Sequence, residues 1–234
     1  MTSPPTVVAV VPTLNEETTV ADVVARWPYP PHSMTIVDNG STDRTAERAR
    51  RAGATVVDEP RRGYGRACLS GVQANPNADV VVFIDADLSE DPADATSLVD
   101  HITRGEADLV LGRREEPDRP WHAGFGTALC VWLINRLWGS RYRDLGPFRA
   151  ISGAALESLD MRDVTWGWTI EMQVKAVERG LRVIEVPVRS GSRAGGRSKI
   201  SGNLVGSIRA GVRMLGIIAE LRTTRAGRAA STER

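Results

Sequence analysis

The stretch Val80-Val81-Val82-Phe83-Ile84 holds five apolar residues in succession and ends in Asp85-Ala86-Asp87. An apolar run of this length without alternation reads as a strand buried on both faces, which demands helices packed above and below it. In extended chain, side chains two apart point the same way, so Asp85 and Asp87 are expected to converge. Paired carboxylate oxygens at a strand end suit Mg2+ or Mn2+, above all where phosphates complete the coordination.

The rest of the first half repeats this pattern. Val7–Val11, Met34–Val37, Thr55–Val57, Val80–Ile84 and Leu109–Leu111 read as short strands. Between them Thr18–Trp27, Thr42–Ala52, Gly65–Ala74 and Pro92–Thr103 read as helices, the last with Asp91 as its cap and Pro92 at its first position. Gly53 and Gly105 stand where helix-ending glycines belong. Strand and helix alternating at this spacing predict an α/β fold, a doubly wound and mostly parallel sheet of Rossmann-like type. Ligands of such sheets bind beyond the carboxyl ends of the strands. Those ends are polar here: Pro12-Thr13-Leu14-Asn15-Glu16-Glu17, Asp38-Asn39-Gly40-Ser41-Thr42-Asp43, the Asp85/Asp87 pair, and Gly112-Arg113-Arg114. Four polar ends on one edge predict one site.

The second half is organised differently. Ala123–Trp138 reads as a helix, Phe148–Ile151 as a strand or turn, Thr169–Arg179 as a helix ending at Gly180, and Val183–Val188 as a strand. Arg189–Lys199 is a Gly/Ser/Arg loop, and Asn203–Leu221 a last amphipathic helix before a polar tail. The expected organisation is a single domain over 1–222, with halves 1–115 and 116–222, and a disordered tail over 223–234. In Ala123–Trp138 the apolar residues Leu129, Val131, Trp132, Leu133, Ile134, Leu137 and Trp138 cover more than one face. We read this helix as interfacial or partner-contacting rather than purely core.

Across 234 residues the formal net charge is +1, which argues against a dedicated nucleic-acid surface. Cys68 and Cys130 are far apart and fit no metal or disulfide framework, as expected of small core residues in a reducing compartment. His32, His101 and His122 show no metal-ligand or triad spacing. The N-terminus shows no signal-peptide pattern, and the apolar stretch Ala123–Asn135 is too short to span a bilayer. A cytoplasmic location is expected, with peripheral contact at the inner face of a membrane left open; the oligomeric state is unspecified.

Taken together, these motifs resemble the family 2 glycosyltransferases of the GT-A fold, and within them the polyprenyl-phosphate branch typified by dolichyl-phosphate mannose synthase. The resemblance runs from about Thr6 to Ser201. Besides the segments already quoted it includes Gly63-Tyr64-Gly65-Arg66-Ala67, Gly146-Pro147-Phe148-Arg149-Ala150, Glu171 with Lys175, Glu185-Val186-Pro187, and Arg193-x-x-Gly196-x-Ser198-Lys199. It implies a nucleotide diphosphate sugar as donor, of the GDP-mannose or UDP-glucose type, and a polyprenyl phosphate as acceptor. Pro12, Thr13, Leu14, Asn15, Glu16 and Asp38 would hold base and ribose. Asp85, Ala86 and Asp87 would face the donor, the two carboxylates holding the Mg2+ or Mn2+ that bridges its phosphates. Arg113 would contact donor and reacting centre, and Arg193, Ser198 and Lys199 would lie over the diphosphate. Arg141 and Arg149 would meet the acceptor phosphate. A hydroxyl acceptor would instead need a base, with Asp144 as first candidate and Glu171 as second. Asp38 is also open to a helix-capping role, and Glu171–Lys175 to an ordinary helix ion pair. Ser89 departs from the branch, which commonly has Gln there, and Asn39 replaces an Asp.

Overall fold

The computed structural model describes residues 4–115, 125–191 and 215–223. Its frame is a seven-stranded sheet in the order β3-β2-β1-β4-β6-β5-β7. The strands are β1 (Val7–Thr13), β2 (Met34–Asp38), β3 (Thr55–Asp58), β4 (Val80–Phe83), β5 (Leu109–Glu115), β6 (Arg149–Ser152) and β7 (Val183–Arg189). Neighbours pair in parallel except β6, which runs antiparallel to both β4 and β5. The division at residue 115 therefore does not separate two sheets, because the second half inserts β6 between β4 and β5 and adds β7 at the edge.

Helices cover both faces: α1 (Val20–Arg26), α2 (Thr45–Arg51), α3 (Tyr64–Gln73), α4 (Ala95–Thr103), α5 (Phe125–Trp138), α6 (Gly153–Leu159) and α7 (Trp168–Glu178). Strand alternation divides the core into two layers. Ala9, Val11, Val80 and Val82 pack with α1, α2 and α4, while Val10, Val81 and Phe83 pack with α3, α5, α6 and α7. This is the two-sided burial that an unbroken apolar strand requires. The expected cap holds, since the Asp91 side chain accepts from the Ala93 N–H, though the turn it caps is a 3-10 helix leading into α4. Gly53 and Gly105 end their helices at positive φ, as expected. α6, capped by the Ser152 hydroxyl, has no counterpart among the expected elements.

Two expectations about helices change. In α5 one face is packed (Cys130, Val131, Ile134 and Trp138), while Trp132 on the other is 59% exposed. The helix is thus a core helix that presents one large aromatic to solvent. Of the expected last helix, residues 215–223 are described as helical, with Ile217 and Ile218 buried in the second layer. No helix among the described residues is long and apolar enough to cross a membrane.

The connection from β3 to α3 is fastened by two buried polar side chains. The Asn39 amide donates to the carbonyls of Glu59 and Arg61, and its oxygen accepts from the Gly63 N–H, each at 2.8 Å. A carboxylate at position 39 could not donate to either carbonyl, which gives the Asn-for-Asp exchange a physical reason. Glu59, 5% exposed, takes hydrogen bonds from Arg61 and from Ser70 on α3. Those bonds outweigh burial and hold its pKa down to about 2, from an ordinary 4.5. A depressed carboxylate pKa stabilises the fold above the unfolded value, and that contribution is lost as pH falls through the folded one. Urea unfolding followed from about pH 5 to about pH 3 should therefore show stability falling more steeply for the native chain than for Glu59→Gln.

Candidate active site

The chemistry-bearing residues gather at the carboxyl ends of β1, β2, β4 and β5. The order β2-β1-β4 places a change of winding direction between β1 and β4, where open sheets of this kind form a crevice. On one side of it the loops after β1 and β2 are stitched together. The Asn15 side chain accepts from the Thr42 N–H at 2.8 Å, and the Asn15 N–H donates to the Ser41 hydroxyl at 2.9 Å. Glu16 N–H donates to Thr45 Oγ1 and Glu17 N–H to Asp43, while Arg48 donates to the Glu17 carbonyl. Asn15 has a φ of +53°, a conformation that Asn tolerates better than most residues. Pro12, Thr13 and Leu14 thus lead into a loop with fixed backbone. Asp38 accepts from the Ser41 N–H at 2.9 Å and holds this turn. It does not cap α2, which begins at Thr45 without a side-chain cap.

Asp85 and Asp87 lie beyond the end of β4, in a turn rather than in the strand. Strand alternation therefore does not aim them; local contacts do. Asp85 accepts from the Tyr64 hydroxyl at 3.2 Å. Asp87, 4% exposed, accepts from the Ser89 N–H at 2.9 Å. The carbonyl of Ala86 between them takes the Thr19 hydroxyl at 2.7 Å. Among the described residues no group of three or more His, Cys, Asp and Glu side chains could hold a metal ion by itself. Two hard carboxylates do fit Mg2+ or Mn2+ when phosphate and water supply the remaining oxygens.

A third carboxylate lies close by. Glu90, 2% exposed, accepts from the Ser89 hydroxyl at 2.8 Å. Burial raises its pKa, helped by the charges of Asp87 and Asp144 and opposed by Ser89 and Arg114. Neither Glu90 nor Tyr64 stood among the expected site residues. For Tyr64 the available signal was its flanking by Gly63 and Gly65, which marks close backbone approach.

Across the crevice Asp144 is bound to Arg114 by two side-chain hydrogen bonds, of 2.7 and 2.8 Å. It also accepts from the Leu145 N–H at 2.7 Å. Burial opposes its ionisation, but the bonds and charge of Arg114 prevail and hold its pKa below the ordinary value. Arg113 follows Gly112 on β5, and strand alternation puts it on the face opposite to Arg114.

Three expectations need correction. Arg149 is not a surface cation at the acceptor side: it is 0% exposed and donates to the carbonyls of Gly146 and Thr169. Arg141 is exposed, so the two arginines do not form one phosphate site. Glu171 is not aimed at the crevice as a base. Its carboxylate takes the N–H groups of Arg162 and Asp163 and pairs with Lys175 at 2.7 Å, latching the segment before α7. Arg193, Ser198 and Lys199 lie outside the described residues.

Glu171→Gln should therefore act first on stability. It removes the ion-pair partner of a mostly buried Lys175, which keeps its bond to the Asp160 carbonyl, at a cost of roughly 3 kcal/mol. Thermal unfolding should show a Tm lowered by several degrees, with Lys175→Met in the same chain restoring part of it. An unchanged Tm with lost activity would return Glu171 to the chemistry.

With this geometry in hand, comparison with known proteins is informative. The sequence profile of glycosyl transferase family 2 matches residues 8–144. An uncharacterized glycosyltransferase of Mycobacterium tuberculosis is 42% identical over 205 residues, 86% of this chain and 93% of the relative. A polyprenol monophosphomannose synthase of Mycolicibacterium smegmatis is 28% identical over 214 residues, 83% of this chain and 80% of the relative. Among solved structures, glucosyl-3-phosphoglycerate synthase from Mycobacterium tuberculosis with Mn2+ and UDP-glucose is 27% identical at a TM-score of 0.71. That likeness covers 86% of this chain and 75% of the other.

Proposed function

Because this chain belongs to glycosyl transferase family 2 and has its GT-A fold, we propose that it moves a hexose from a nucleotide diphosphate sugar to a polyprenyl phosphate. The observation that carries the acceptor class is the state of Asp144. A base must be free to take a proton, whereas both oxygens of this carboxylate are engaged by Arg114. A lipid phosphate is already an anion and needs no base. The mycobacterial polyprenol monophosphomannose synthase among the relatives supports the same class.

In this reading the stitched loops carrying Pro12–Glu16 and Asp38 receive the base and ribose, on a backbone fixed before the donor arrives. Asp85 and Asp87 would hold a divalent cation, which would supply positive charge beside the donor's diphosphate. Mn2+ is the ion named with the related synthase; Mg2+ suits the same oxygens. A phosphate oxygen of the acceptor attacks the anomeric carbon as the bond to the diphosphate breaks, so the configuration inverts and the electron pair leaves with the diphosphate. Arg113, Arg141, Arg193, Ser198 and Lys199 are the cations and hydroxyl assigned to the two phosphate groups. The acceptor chain would bring the protein to the inner face of a membrane.

The rival is transfer to a hydroxyl of a small acceptor, with Asp144 as base after Arg114 lets it go. The likeness to glucosyl-3-phosphoglycerate synthase favours it. Incubation with radiolabelled UDP-glucose or GDP-mannose, Mn2+ or Mg2+, and either polyprenyl phosphate or 3-phosphoglycerate separates the two. Organic-extractable label is expected. Water-soluble product alone would establish the rival, and Asp144→Asn should then abolish turnover.

The cation assignment has its own test. Asp85→Asn and Asp87→Asn should each lower turnover by at least about 100-fold. They should also remove the Mn2+-dependent rise in Tm produced by the matching nucleoside diphosphate. Retention of that rise in both variants would refute the assignment.

A further inference from the structure

Trp166 is 40% exposed, and its ring stacks on Tyr64 with centroids 5.5 Å apart and planes 23° from parallel. An indole left in water forgoes the gain of burial, yet the chain holds this one in place with many bonds. The segment 163–166 lies on the first turn of α3. There the Gly65 N–H donates to the Thr165 carbonyl at 3.0 Å and the Arg66 N–H to the Val164 carbonyl at 3.2 Å. A Cβ at Gly65 would fall 2.1 Å from the Asp163 carbonyl oxygen, so only glycine admits this approach. Asp163 accepts from the N–H groups of Thr165 and Gly167, and Glu171 accepts from the N–H of Asp163 itself.

The stack also has a direction. At its inner end the Tyr64 hydroxyl donates to Asp85, one of the two proposed cation ligands. Helix 215–223 packs so closely that a Cβ at Gly167 would lie 1.8 Å from Ile217, and Leu215 at its start is 39% exposed. The same helix is tied to α5, the helix bearing Trp132, by a bond from Arg222 to the Leu137 carbonyl. Among the described residues Trp132, Trp166 and Leu215 are the exposed large hydrophobics.

We infer that the Tyr64–Trp166 stack begins an apolar track that seats the acceptor's isoprenoid chain, Trp166 contacting the units next to its phosphate. This rests on the polyprenyl-phosphate reading of the site. A sugar would call for hydroxyl partners around the ring, whereas the nearby helix 215–223 offers the exposed apolar side chain of Leu215. Glu171 is then a positioning residue, acting through the loop that carries Trp166.

The test is steady-state kinetics of Trp166→Ala and Trp166→Phe with a long polyprenyl phosphate, and with a water-soluble phosphate of two isoprene units. Trp166→Ala should raise KM for the long acceptor at least tenfold, with a smaller fall in kcat and little change in donor KM. Trp166→Phe should recover most of it, and the short acceptor should be less affected. An acceptor KM that does not move overturns the inference while leaving the proposed function standing. A raised donor KM with the acceptor KM unmoved overturns it too, and puts the sugar on the stack. Failure of the native chain to glycosylate any lipid phosphate sinks the proposed function itself, and the inference with it.

Discussion

A buried guanidinium holds together the part of the molecule where chemistry is proposed. β6 runs antiparallel between β4 and β5, and its first residue, Arg149, stands level with Phe83 on one side and Leu111 on the other. Those are the positions from which the chain proceeds to Asp85 and to Arg114. Arg149 has no exposed surface, and burial lowers its pKa, while Tyr64 and Asp144 act in the opposite sense. A cation so placed is costly unless neighbouring charge and carbonyls compensate it. Here Asp144 supplies neighbouring negative charge, and the carbonyls of Gly146 and Thr169 accept hydrogen bonds from Arg149. Through Gly146 and Thr169 it also joins the segment carrying Asp144 to the start of α7. The antiparallel strand thus joins the two sides of the crevice.

Much of this frame was legible in the sequence. The unbroken run Val80–Ile84 required cover on both faces and has it; the alternation of strand and helix gave the parallel half of the sheet; Asp91 caps where capping chemistry put it. What could not be read were facts set by partners distant in the chain. β6 appeared only as a strand or turn, because nothing in four residues states which neighbours they pair with. Arg149 and Glu171 carry charges that sequence reasoning assigns to solvent or to catalysis. In the fold each meets backbone groups from another segment and becomes part of the interior. Asp85 and Asp87 were rightly placed at a strand end, but the strand stops at Phe83, so a turn and not the pleat sets their directions. Glu90 escaped notice because a third acid after two acids looks like surface charge until its burial is seen.

The two sides of the crevice differ in how they are built. On one side, fixed hydrogen bonds join the loops after β1 and β2 from Asn15 to Thr45, and Asn39 and Glu59 fasten the next connection to α3. Loops bonded to one another in this way lose little further freedom when a ligand settles between them. The other side is made of elements that return from the second half of the chain, held by the Arg114–Asp144 pair, the Glu171 latch and the packing of α5 against α7.

The turn bearing Asp85 and Asp87 is also tied to the far edge of the sheet. Just after it, Glu90 bridges to Ser190, the Asp91 N–H donates to the Arg189 carbonyl, and the Gly191 N–H donates to Ser89. Arg189 adds ion pairs to Asp91 and Asp94. β7 therefore ends against the segment that follows the proposed cation ligands, although β7 and β4 are separated in the sheet by β6 and β5. Exposed ion pairs contribute little energy singly, so the backbone bonds set this register and the arginine reinforces it. The consequence is geometric: whatever chain leaves β7 after Gly191 departs from a point fixed relative to Asp87.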